Sequence, residues 1–186
     1  MAMFNKILVA IDMSANGDRV FAAALDLAKL NQADMMLLHV LSLEEEGAPD
    51  LIAVSELGYY PGILPPDANG DRFRQQWKSY EDRCLESLHF YTDQSSAVGV
   101  KTEFTQASGS PGRAICKLAQ TWAADLIVVG RRGHSGLSEL ILGSVSNYVL
   151  HHAPCSVLTI QSKAAKPNNG QAQSPETKET KEVKKA

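Results

Sequence analysis

The chain has 186 residues, 44% of them hydrophobic and 21% charged, which suits one globular core and is too little for two. Its 18 Lys and Arg against 21 Asp and Glu give a formal net charge of -3, so the balance excludes a strongly basic nucleic-acid binder or an anionic-membrane binder. Three cysteines, Cys84, Cys116 and Cys155, are odd in number and far apart; they fit neither a disulfide framework nor a CxxC metal knuckle, and read as small apolar residues of a reducing compartment.

From the N-terminus, MAMFNKILVAID has only a short apolar run closed by an Asp, without the long apolar stretch and cleavage site of a secretory signal. No segment approaches the roughly 20 apolar residues of a membrane span. A cytoplasmic protein is expected. Lys6 to Ile11 predicts a first strand, and Val20, Phe21, Ala24, Leu25, Leu27 and Ala28 recur at helical spacing behind it. Met35 to Leu41 predicts the second strand. The connection from Ser42 to Gly70, acidic and then rich in Pro, Gly and Tyr, exceeds the about 12 to 15 residues beyond which loops are usually functional or mobile. Its apolar residues Leu51, Ile52, Val54, Leu57, Tyr59 and Tyr60 are expected to pack back onto the domain with some mobility rather than to form a specific lid. Phe73, Trp77, Tyr80, Cys84, Leu88 and Tyr91 make a second helical stripe, a core face by its spacing. Val100 to Phe104 predicts the third strand. Ser110 as N-cap and Pro111 at the first helical position open a helix carrying Ala114, Ile115, Leu118, Ala119 and Trp122. Leu126 to Val129, a helix from about Ser144 to His151, and Ser156 to Ile160 complete the series.

Residues 163–186 contain no aromatic residue and only Val183 as a β-branched apolar one, too little apolar area to offset ordering entropy. The chain therefore divides into a folded domain, residues 1–162, and a disordered tail, 163–186. The tail's six Lys and three Glu leave the domain at -6. The alternation β-α-β-α-β-α-β-α-β predicts an α/β fold with right-handed crossovers and helices on both faces of the sheet. The near-continuous apolar strands suit a parallel sheet.

The stretch Gly130 to Ser146, GRRGHSGLSELILGSVS, follows the buried fourth strand, where ligands of open α/β sheets bind. Gly130 and Gly133 permit positive φ and close backbone approach. Gly143-Ser144 opens a helix whose N–H groups favour an anion, and Ser144 can donate to a phosphate, cap the helix, or do both. Arg131 and Arg132 could neutralise phosphates, with at least one expected to point to solvent, and neither is taken as a core site residue. No GxxxxGK[ST] or GxGxxG motif occurs. His39, His134, His151 and His152 lack a metal spacing, and neither Ser14 nor Ser110 has a recognisable base for a hydrolase triad.

The spacing Gly130-x2-Gly133-x9-Gly143-Ser144 resembles the ATP-binding signature G-x2-G-x9-G-[ST] of the universal stress protein family. KILVAIDMS, LLHV, ADLIVVGRRGHSG and HHAPCSVLTI are similar to further hallmarks, so that the resemblance covers nearly all of residues 4–160. It implies a Rossmann-like, open parallel five-stranded sheet in order 3-2-1-4-5 that sets Asp12 and Gly130 about one cleft. It also implies that Asp12 and the Val40 backbone hold adenine and ribose, and that Gly130, Gly133, Gly143, Ser144 and Val145, with Ser146 added, hold phosphates. The implied ligand is ATP or AMP, with Mg2+ admissible as counter-ion, and the implied role is a nucleotide-responsive regulator or sensor in the stress response. A homodimer through the Ser156 to Ile160 edge strand and an unidentified protein partner are expected, with neither nucleic acid nor membrane. An enzyme with slow ATP hydrolysis or nucleotidyl transfer, and a nucleotide-independent dimeric scaffold, are the alternatives.

Overall fold

The computed structural model describes residues 3–43, 45, 47–49, 68–131 and 143–161. The elements are β1 (Lys6–Ala10), α1 (Ala15–Asn31), β2 (Asp34–Leu41), α2 (Ala68–Ala97), β3 (Thr102–Ser108), α3 (Pro111–Trp122), β4 (Leu126–Arg131), α4 (Ser144–His152) and β5 (Ser156–Gln161). They form one five-stranded sheet in order β3-β2-β1-β4-β5, with every described pairing parallel. The expectations for Leu51 to Tyr60, for Gly133 and for the tail lie outside the described residues.

The apolar runs are continuous because the central strands are covered twice. Ile7, Leu8 and Val9 of β1 are all fully buried. Ile7 and Val9 pack with Val20, Phe21 and Ala24 of α1 and Leu88 of α2, while Leu8 packs on the opposite face with Ile115 and Ala119 of α3 and Val149 of α4. At about 1.5–3 kcal/mol for each fully buried aliphatic side chain, these two clusters dominate the stabilisation of the sheet. The helical stripe read from the sequence is the inner face of α2: Tyr80, Cys84, Leu88 and Tyr91 are buried.

One strand boundary and one helix cap depart most from the sequence reading. The third strand is Thr102–Ser108 rather than Val100 to Phe104; Val100 is buried in the turn after α2, where its N–H bonds to the Ser95 carbonyl. Ser110 is the N-cap of α3 with Pro111 inside the helix, as expected, but its hydroxyl makes no capping hydrogen bond.

Strand order positions the site. After β1 the chain moves through β2 to β3, then returns past β1 to β4 and β5. The crossovers from β1 and β4 thus leave in opposite directions, which opens a crevice at the strands' carboxyl ends.

Candidate functional site

That crevice begins as a difference in strand length. Pairing of β1 with β2 ends at Ala10↔Leu38, and pairing of β1 with β4 at Ala10↔Val129. β2 continues to Leu41 against β3, and β4 to Arg131 against β5. A notch is left between Val40 and Gly130, floored by the end of β1. The Leu38 carbonyl accepts the Ile11 N–H at 2.9 Å, so Leu38 aims its peptide groups toward β1. Residues two apart on a strand aim theirs the same way. Val40 therefore presents its N–H and C=O to the notch. Asp12, Val40, Glu45, Gly130 and Gly143 to Ser146 line the resulting cleft, about 700 Å3 including its open mouth.

On the β1 side the chain turns into α1. Asp12 Oδ1 accepts both the Ser14 N–H at 3.3 Å and the Ser14 hydroxyl at 2.6 Å, and Ser14 Oγ in turn accepts the Asn16 N–H as N-cap. Gly17 lets the first helical turn close over this turn: a Cβ there would lie 2.1 Å from the Asp12 carbonyl oxygen.

Two helix N-termini close the other side. Pro111 of α3 and Gly143 to Ser146 of α4 line the cleft, and neither helix has a side-chain hydrogen bond at its N-cap. Both dipoles direct positive potential into the same space, which favours an anionic ligand. Gly143, with φ -58 and ψ 153, is the N-cap, and Ser144 is the first helical residue; the reading of Ser144 as the cap is corrected accordingly. The buried Ser146 donates its hydroxyl to the Gly130 carbonyl at 2.9 Å, lacing α4 to the end of β4. The helices pack closely because Gly112 sits on Tyr148, where a Cβ would come within 2.7 Å of the ring.

Of the two properties expected of Gly130, positive φ is not what makes it glycine. It is not among the described residues at positive φ. Its missing side chain makes room for α1: a Cβ would lie 2.5 Å from Asn16 Nδ2 and 3.1 Å from Val20 Cγ2.

A buried polar cluster borders the cleft behind Val40. His39 Nε2 lies 2.9 Å from Glu45 Oε2, Tyr80 donates its hydroxyl to the same oxygen, and the Met13 N–H donates to Oε1 at 3.0 Å. Burial opposes charge on the ring, but hydrogen bonds to Cys84 and Glu45, with the Glu45 charge, outweigh it and push His39 up to about 9. Burial likewise works against the Glu45 carboxylate, yet bonds from His39 and Tyr80 prevail and hold its carboxyl below the usual range. The pair is thus ionised at neutral pH. Gln106 lies 3.2 Å from His39 Nδ1; beside a charged ring its amide oxygen must face that nitrogen, an orientation reached by a half-turn of the amide.

The structure thus brings together Asp12, Val40, Gly130, Gly143, Ser144, Val145 and Ser146. The sequence reading missed Glu45, Gly17 and Gly112. Among the described residues no cluster of three or more His, Cys, Asp or Glu could hold a metal ion, and no helix is long and apolar enough to cross a membrane.

This arrangement, an open parallel sheet with a crevice at the β1/β4 switch point, is that of the doubly wound, Rossmann-like α/β folds. The chain belongs to the universal stress protein family, whose model matches residues 3–161. It is 37% identical over 160 residues to universal stress protein YxiE of Bacillus subtilis, covering 86% of this chain and 100% of that protein. Its fold is similar to that of a universal stress protein family member from Arabidopsis thaliana solved with AMP bound, at a TM-score of 0.53 and 22% identity over 86% of this chain and 93% of that one. It is also similar to a universal stress protein solved in complex with cAMP, at a TM-score of 0.56 and 21% identity over 85% and 97%.

Proposed function

We propose that the chain binds an adenine nucleotide, ATP first and AMP as the alternative, and works as a nucleotide-responsive regulator in a stress response. The observation that carries this reading is the notch: the peptide groups of Val40 face the N-terminus of α4 across one cleft. Main-chain donor and acceptor suit the edge of a base, Asp12 suits ribose hydroxyls, and the α4 terminus suits phosphates. Gly130, Gly143, Ser144, Val145 and Ser146 serve the phosphate end, together with Gly133, which lies outside the described residues. Mg2+ enters only as the nucleotide's counter-ion. The AMP and cAMP held by the two solved relatives support an adenine ligand.

Turnover is expected to be slow at most. Efficient phosphoryl transfer needs metal-holding carboxylates at the transferred group, and among the described residues the carboxylates lining the cleft, Asp12 and Glu45, lie on its β1–β2 side.

The test is direct. Denaturing the purified protein should release an adenine nucleotide in near-stoichiometric yield. Gly143 has extended dihedrals that valine tolerates, so Gly143→Val should fold while its branched side chain obstructs the α4 terminus. ATP affinity by titration calorimetry should fall about tenfold or more, equivalent to about 1.4 kcal/mol, and adenosine affinity much less. Asp12→Ala should weaken ATP, AMP and adenosine together. A well-folded Gly143→Val that binds ATP like the parent would sink the phosphate assignment and favour the scaffold alternative.

The same reading includes a homodimer. β5 is an edge strand of the sheet, and Ser156 to Ile160 offers backbone groups on which a second copy could pair across a two-fold axis. Sedimentation at micromolar concentration should give a dimer that Val157→Lys weakens. A monomeric parent would remove this element.

A further inference from the structure

We propose that Glu45 is a positioning residue for the nucleoside end of the cleft, its carboxylate pinning the Asp12–Ser14 turn against the end of β2 by accepting the Met13 N–H. The proposal rests on the adenine-nucleotide reading and extends it to a residue that would not itself have to touch the ligand. Glu45 has a side chain only 4% exposed, although it borders the cleft. Its two oxygens receive donors from three separate elements. Met13 N–H comes from the β1–α1 turn at 3.0 Å, His39 Nε2 from β2 at 2.9 Å, and the Tyr80 hydroxyl from α2.

Each contact has a consequence for Asp12. Met13 is its chain neighbour, so a fixed Met13 amide fixes the peptide leaving Asp12, while Ser14 holds the Asp12 side chain from the other direction. The Ile11 N–H to Leu38 carbonyl bond anchors the turn where it starts, and Glu45 anchors it two residues later. His39 and Tyr80 in turn prevent the carboxylate from rotating away. An uncompensated carboxylate at this place would repel an anionic ligand; the imidazolium of His39 neutralises it locally, which suits a cleft end occupied by an uncharged nucleoside.

Glutamine is the informative substitution. Its amide has one acceptor oxygen where three donors converge, so at least one contact is lost or must share, and the counter-charge for His39 is removed. Tyr80→Phe is milder, removing one donor and leaving the Met13 bond intact. Adenosine and ATP are titrated into the parent and both variants, with thermal unfolding as the folding control and the Met13 amide proton followed by NMR. Glu45→Gln should weaken adenosine and ATP by the same factor, about tenfold, because the loss is confined to the shared nucleoside end, and the Met13 amide proton should move upfield as its carboxylate acceptor disappears. Tyr80→Phe should weaken both about threefold.

A folded Glu45→Gln that binds adenosine like the parent overturns the proposal. So does a variant in which ATP weakens much more than adenosine, since general loosening would spoil the phosphate end as well. If Glu45→Gln does not fold, Tyr80→Phe decides: parental adenosine affinity overturns the proposal. A parent that binds neither adenosine nor ATP overturns the adenine-nucleotide reading and this proposal with it, whereas a parent that binds both while the variants match it overturns this proposal alone.

Discussion

Replacing Gly17 by alanine is expected to destabilise the domain and to weaken nucleotide binding together. Intrinsic propensity argues the opposite, because alanine in a helix is favoured over glycine by about 0.5–1 kcal/mol. Space decides the sign. The new Cβ would fall 2.1 Å from the Asp12 carbonyl oxygen, a backbone atom that no rotamer change can move. Either the first turn of α1 lifts or the Asp12 turn swings into the cleft. Overpacking of this kind costs about 1–3 kcal/mol and sometimes more, or several degrees in thermal midpoint for a domain of this size. Adenosine affinity should fall with it, because the displaced residue is the proposed ribose partner. Unchanged midpoint and affinity would show that the turn yields freely and that Asp12 is not held where binding needs it.

Gly130→Val should be the most damaging single change at the proposed phosphate side. Valine is a better strand former than glycine, yet here its Cβ would meet Asn16 Nδ2 at 2.5 Å and Val20 Cγ2 at 3.1 Å, before its two methyl groups are placed. Val20 is buried within the α1 face of the core and has nowhere to go. A loss of about 3 kcal/mol is expected. Gly130→Ala should cost less, since the Asn16 amide is the end of a flexible side chain. In an Asn16→Ala background the alanine penalty should largely vanish, a coupling of about 1 kcal/mol in a double-mutant cycle of urea unfolding. Additive effects would mean that the α1 contact is not what makes glycine necessary at position 130.

What could be read from the sequence follows from how local each signal is. β1, β2 and β4 were legible because burial on both faces makes their runs almost wholly apolar. β3, TEFTQAS, is only half-buried along most of its length, so its start was misjudged by the pull of Val100, an apolar residue buried in a turn. At the candidate site, Gly130 and Gly143 were marked by glycine spacing after a strand, and Asp12 by the family resemblance. Glu45 carried no mark: in SLEEEG it is one of three identical neighbours, and it is singled out when the fold brings Met13, His39 and Tyr80 to its carboxylate. Gly17 and Gly112 are glycines for the sake of atoms supplied by other segments, Asp12 and Tyr148. Such requirements exist only once the helices are packed. Positive φ at Gly130 was not found, and the α1 residues that it accommodates, Asn16 and Val20, are more than a hundred positions away.

The early end of β1 has a further meaning for what the cleft can recognise. At position 40 the chemistry offered to the notch belongs to the peptide unit, and every amino acid except proline carries the same N–H and C=O. Val40→Ile or Val40→Ala should therefore leave the hydrogen-bonding pattern as it is, while Val40→Pro would erase its donor. The proposed recognition at this edge would rest on the relative lengths of three neighbouring strands rather than on the side chain at position 40. Related chains could preserve it while sharing few side chains around it, and a search for identical residues would pass over it.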